Sequence, residues 1–233
     1  MLNLIRGEFK KFRMGKYMMS SIIACLVLLG LNLLMMSTSY ADGEVFVADY
    51  TEFFMMTDAL VKLTYIVFAS TIFSKLIIEE FNSKTINIMF MYPISRKKIM
   101  AAKLCIGLIF TVVSMAIAYI VISTVCFWCN SRWHVIPGVL TNDILLDGSM
   151  SCGFSIIITA LASLGAFFVG LTKRSISAAN VTAIIIGVVL CSVSSETTRE
   201  ALFMRSLIVG GIVLIIDIIG CKYIFKEIET GDL

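Results

Sequence analysis

Residues 79–103, EEFNSKTINIMFMYPISRKKIMAAK, form the stretch on which the fold of this chain turns. The run is charged, close to a helical pattern, and set between two apolar segments that are each long enough to cross a bilayer. Ile86, Met89 and Phe90 recur at helical spacing, with Lys84 and Asn87 to the side. Pro93 ends that short helix, because proline disfavours helical geometry in the residue before it, Tyr92. Ser95 then caps a helix that begins Arg96-Lys97-Lys98 and rises into the next apolar run.

Working outward, the chain is 59% hydrophobic and only 15% charged, with a mean hydropathy of +0.96. Soluble domains carry about 25% charged residues, so the class is membrane protein. About 20 apolar residues cross about 30 Å of hydrocarbon as a helix. Six segments meet that need: 17–37, 59–78, 104–127, 150–171, 176–193 and 206–225. The reading is therefore an all-α membrane protein of six transmembrane helices. Residues 38–58 and 128–149 form its extracytoplasmic loops, 79–103 a cytoplasmic connection, and 226–233 a cytoplasmic tail.

Before the first span, Leu2, Ile5, Phe9 and Phe12 make one apolar stripe, and Arg6, Lys10, Lys11, Arg13 and Lys16 cover the rest. Residues 1–16 thus read as an amphipathic helix lying in the headgroup plane against anionic lipid. The first apolar core is too long for a signal peptide. Residues 1–16, 75–103, 172–175 and 222–233 hold 15 of the 19 Lys and Arg, which by the positive-inside rule puts both termini in the cytoplasm. Segment 38–58 carries Asp42, Glu44, Asp49, Glu52 and Asp58 and no basic residue. Lys62 and Lys75 lie near the ends of the second span, from which long side chains snorkel to the headgroups. Trp128 and Trp133 suit an interface. Small residues at Ala162/Ala166 and Ala179/Ala183/Gly187 recur every four positions and favour close helix packing.

Candidates for chemistry are few. Asp217 lies inside an apolar run, where an ionisable residue is costly and faces the bundle interior. Asn32 and Asn180 read as polar contacts between helices or along a pathway. The seven cysteines act mostly as small hydrophobes; a disulfide among Cys126, Cys129 and Cys152 stays open. No second Cys pair or His cluster supports a metal site, and nothing points to nucleic acid. Glu79-Glu80-x-x-x-Lys84 resembles the Glu-Glu-x-x-x-Arg of CAAX-type membrane proteases, but those need histidines. His134 is the only one here and is placed on the opposite side of the membrane.

The Glu80, Thr85-Ile86, Tyr92-Pro93-Ile94-Ser95-Arg96 and Lys103 series resembles the first cytoplasmic loop of ABC-2 type transporter permeases. Lys84 stands where that family often has glycine. The resemblance implies that 79–103 is a coupling helix docking on a separate ATPase through Glu79, Glu80, Thr85, Tyr92, Pro93, Ser95 and Arg96. ATP and Mg would be held by that ATPase, in two copies, and no cofactor by this chain, which has no G-x-x-x-x-G-K-[ST] phosphate loop. It further implies a second permease subunit, identical or related, and a bacterial cell membrane. Short permeases of this form resemble the bacitracin and lantibiotic self-protection exporters, which points to an amphipathic peptide cargo. Export of another lipid-like or small cargo or of sodium, and a non-transport membrane scaffold or sensor, are the alternatives.

Overall fold

A computed structural model describes residues 14–42, 49–78, 96–133, 136, 141–193 and 199–230. Among them are six α-helices and no strand: α1 Met14–Asp42, α2 Tyr50–Phe73, α3 Arg96–Trp133, α4 Asn142–Thr172, α5 Ile176–Val193 and α6 Arg199–Thr230. α2 runs on into a π-helical turn, Ser74–Ile78. Every apolar segment lies in a helix because a backbone in lipid must satisfy its N–H and C=O groups within its own segment. The helices also extend past those segments. The intervals read as outer loops are helical at both ends, through Asp42 and from Tyr50, and through Trp133 and from Asn142.

Among the described residues, four helices are long and apolar enough to cross a bilayer: Tyr17–Thr38, Tyr50–Ile78, Lys98–Arg132 and Asn142–Thr172. The apolar part of α5, Ile176–Ser192, is shorter and covers roughly 26 Å at 1.5 Å per residue. The outward face of α6 is apolar, with Leu207, Ile208, Ile212, Ile215 and Ile219 all exposed.

α2 and α4 form the centre of the bundle. α4 packs on α2, α5 and α6, and α2 packs on α4, α5 and α3. α1 lies at the edge: 22% of its apolar window is buried, against 67% for α2. Its buried seam is Leu28, Asn32 and Met36 at four-residue spacing, facing α2 and α3, while Met19, Ile23, Leu26 and Leu34 point outward. An apolar outward face of this kind is the form expected of a helix that meets lipid.

Small residues set the closest approaches. Ala162, Ala166, Ala179 and Ala183 are fully or almost fully buried, and Gly187 packs on Ile66 and Leu63 of α2. A Cβ on Gly107 of α3 would run into the Phe73 ring, so this crossing requires glycine. In lipid, where burial alone favours no partner, such close backbone packing is a main source of association. α4 and α5 form a hairpin through Lys173, Arg174 and Ser175. Ser175 N–H donates to Gly170 O (3.1 Å), Arg174 N–H donates to Leu171 O (3.0 Å), and Arg174 sits in the left-handed region at φ 48°.

Candidate functional site

The residues that carry polar chemistry lie inside the helix seams. α2 takes part in most of their contacts. Near its first turns Thr57 Oγ1 donates to Asn32 Oδ1 of α1 (2.7 Å), and Asn32 Nδ2 donates back to Leu28 O (2.9 Å). One residue on, Asp58 accepts the Tyr119 hydroxyl of α3 at 2.6 Å and pairs with Lys62 Nζ at 2.5 Å. The two side chains of that ion pair are 4% and 8% exposed. The Cys191 thiol of α5 reaches Ala59 O of the same turn (3.3 Å). Three other helices thus converge on residues 57–62 of α2 through polar contacts.

Lys62 therefore does not snorkel to a headgroup from the end of a span, as the sequence suggests. It is buried one helical turn from an acid that sits on its own face. Snorkelling suits a basic side chain with no carboxylate in reach; at an i,i+4 spacing the opposite charge is nearer than water. Asp58 likewise leaves the acidic outer set. The acid–x–x–x–Lys spacing within an apolar run was the sequence signal that could have found this pair.

Two further contacts lie along α2. Thr71 Oγ1 donates to Val67 O (2.9 Å) and to Asn180 Oδ1 of α5 (3.2 Å). Lys103 of α3 is 1% exposed, and its ammonium donates to Leu76 O in the π-helical turn (3.3 Å). A cation on a carbonyl at a helix C-terminus meets the negative end of the helix dipole. The sequence placed Lys103 in the coupling stretch, but nothing in the pattern showed it folded back onto α2. At the other end of α2, Asn130 Nδ2 donates to the Tyr50 hydroxyl (2.6 Å), and Asn130 Oδ1 accepts from Ile136 N–H (2.9 Å).

Asp217 is 6% exposed and turned onto α4, where a Cβ added at Gly165 would lie 3.4 Å from its Oδ1. The structure thus brings Asn32 to α2, Asn180 to α2 and Asp217 to α4, and it does not bring these three together. Glu79, Glu80, Thr85, Tyr92, Pro93 and Ser95 lie outside the described residues, as do residues 1–13 and His134. Arg96 is the first residue of α3, its side chain outside the described set. All seven cysteines are free thiols, so the disulfide left open among Cys126, Cys129 and Cys152 is not formed. No group of acidic, His and Cys side chains among the described residues is arranged to hold a metal.

The buried charges among the described residues, Asp58, Lys62, Lys103 and Asp217, all lie in seams between helices. The profile of a family described as "ABC-2 family transporter protein" matches residues 4–194. The chain belongs to the ABC-2 transporter family. This ABC-2 chain is also 35% identical over 193 residues to the "Uncharacterized protein YcbO" of Bacillus subtilis (strain 168), covering 83% of this chain and 85% of that one. No solved structure matches it. Family membership makes the chain an integral membrane protein and the permease subunit of an ABC transporter, the component without an ATP-binding domain, which works with an ABC ATPase subunit. Neither match carries a cargo.

Proposed function

We propose that this permease couples ATP hydrolysis in its partner to export, or extraction from the membrane, of an amphipathic cargo, with peptide antibiotics as the cargo class. The coupling surface is the 79–103 connection, with Glu79, Glu80, Thr85, Tyr92, Pro93, Ser95 and Arg96 meeting the ATPase. Both termini lie on that same cytoplasmic side of a bacterial cell membrane, six spans are crossed, and two permease subunits with two ATPases enclose the pathway. Asp217, Asn32 and Asn180 are polar groups of the cargo pathway or of the helix bundle within the membrane.

The observation that carries the coupling part is the buried contact of Lys103 with Leu76 O. The π-helical turn that continues α2 ends at Ile78 and α3 begins at Arg96, and this hydrogen bond ties the two helical stems that flank residues 79–95. A push on a connection whose two stems are joined moves both helices as one body, which is what a lever requires. Support for a cationic cargo comes from Asp42, Glu44, Asp49 and Glu52, which leave the opposite end acidic once Asp58 is counted as paired.

The test is coexpression with neighbouring genes, purification, and measurement of ATPase activity and of peptide-antibiotic protection. Recovery of an ATPase that is lost on Glu80→Lys or Arg96→Glu supports the coupling surface. Lys103→Met is expected to leave ATPase binding intact and lower cargo-stimulated hydrolysis. Unchanged binding in both charge reversals removes the proposed surface. Protection against sodium or a lipid-like compound, with none against bacitracin or lantibiotics, replaces the cargo class. Purification with no ATPase leaves a scaffold.

A further inference from the structure

Asp217 is the one carboxylate among the described residues that is more than nine-tenths buried and has no hydrogen-bond partner at either oxygen. Asp58, the other deeply buried acid, is satisfied at both of its oxygens by Tyr119 and Lys62. Among the described residues, the surroundings of Asp217 offer no replacement. On its own helix Ile215, Ile216, Ile218 and Ile219 are exposed around it, and Lys222 is exposed more than a turn away. Cys221 is the nearest titratable residue on that helix. α4 packs on α6 at Ile158, Gly165 and Phe168, which lie against Gly210, Asp217 and Gly220, and it carries no ionisable side chain between Cys152 and Lys173. α3 also touches α6, but Lys103 is turned to Leu76 O, Tyr119 is bonded to Asp58, and Cys105 is exposed.

An ionised carboxylate cannot be kept in such a seam without a counter-charge, because removing it from water costs far more than apolar packing returns. We infer that Asp217 is a proton-binding site in the α4–α6 seam, and that the packed arrangement of the two helices is its protonated state. One proton from the aqueous phase adds to one carboxylate oxygen, which gives a neutral carboxylic acid and leaves no net charge against Gly165. Release of that proton places a bare anion between the helices, and the seam must then admit water or a cation. The site is thereby a proton-controlled latch on α6, and it stands whether or not the coupling reading above is correct.

The test is infrared difference spectroscopy on the full-length protein in lipid nanodiscs, comparing the unmutated chain with Asp217→Asn at pH 7. The expected result is one carboxylic C=O stretch, sensitive to exchange into heavy water, that is present in the unmutated protein and missing from the variant. Asp217→Glu keeps a carboxyl and shifts that band rather than deleting it, which assigns the band even where the Asn variant does not fold. Symmetric and antisymmetric carboxylate bands in its place would overturn the inference. They would show an anion held by a metal ion or by a basic side chain of a second copy.

Discussion

The sharpest consequence of the bundle concerns the Asp58–Lys62 pair. Both side chains are almost wholly buried, and Asp58 has a second donor in the Tyr119 hydroxyl. Removing one member of a buried ion pair leaves the other charge without compensation and costs about 3–5 kcal/mol, whereas removing both together is close to neutral. Lys62→Met is therefore expected to destabilise strongly, since it leaves a buried carboxylate with one hydroxyl donor. Asp58→Asn is expected to cost a similar amount, because it strips the carboxylate from a buried ammonium. The double change keeps an amide oxygen for Tyr119 and removes both charges. Its cost should be on the order of 1 kcal/mol, the worth of one imperfect hydrogen bond. The assay is the midpoint of unfolding in mixed lipid–detergent micelles as dodecyl sulfate is added, followed by far-ultraviolet circular dichroism. The decisive feature is order: the double variant must be more stable than either single. A double variant as unstable as the two singles added together would refute the pairing and return Lys62 to a headgroup.

Other outcomes follow from the same contacts. Gly107→Leu forces a side chain into the Phe73 ring and should cost about 1–3 kcal/mol, partly recovered by Phe73→Leu, as read from the same unfolding midpoint. Asn32→Leu removes the acceptor of Thr57 and should cost about 0.6 kcal/mol, the mean for a hydrogen bond between membrane helices; no loss at all would mean that Thr57 finds another acceptor. Arg174→Gly relieves a left-handed residue at the α4–α5 turn and should stabilise by at most about 1 kcal/mol, while Arg174→Val should destabilise. Tyr119→Phe deletes one donor to a buried carboxylate and should cost about 1.5–3 kcal/mol, which comparison with Asp58→Asn/Tyr119→Phe would show to be non-additive.

The all-helical class and the apolar core of each described helix could be read from the chain alone. Whether a segment such as 17–37 or 150–171 is helical depends on its own composition, since in lipid the backbone bonds close within about four residues. The small-residue spacing at Ala179, Ala183 and Gly187 likewise marked a buried face, because helical period is a local property. Partner choice is not local. Tyr119 stands 61 residues from Asp58, Asn180 stands 109 from Thr71, and Lys103 stands 27 from the carbonyl it meets. Sequence marked Asp217 as costly but could not say that, among the described residues, it is the buried carboxylate left without a partner at both oxygens, since that depends on which face of α4 lies against it. It marked Lys62 as basic and near a span end, and only the packing of α2 against α1, α3 and α5 turned it inward to Asp58. Hydrophobicity tells a helix that it must cross. Only close packing in three dimensions decides which of its few charges meet one another and which is left to take a proton.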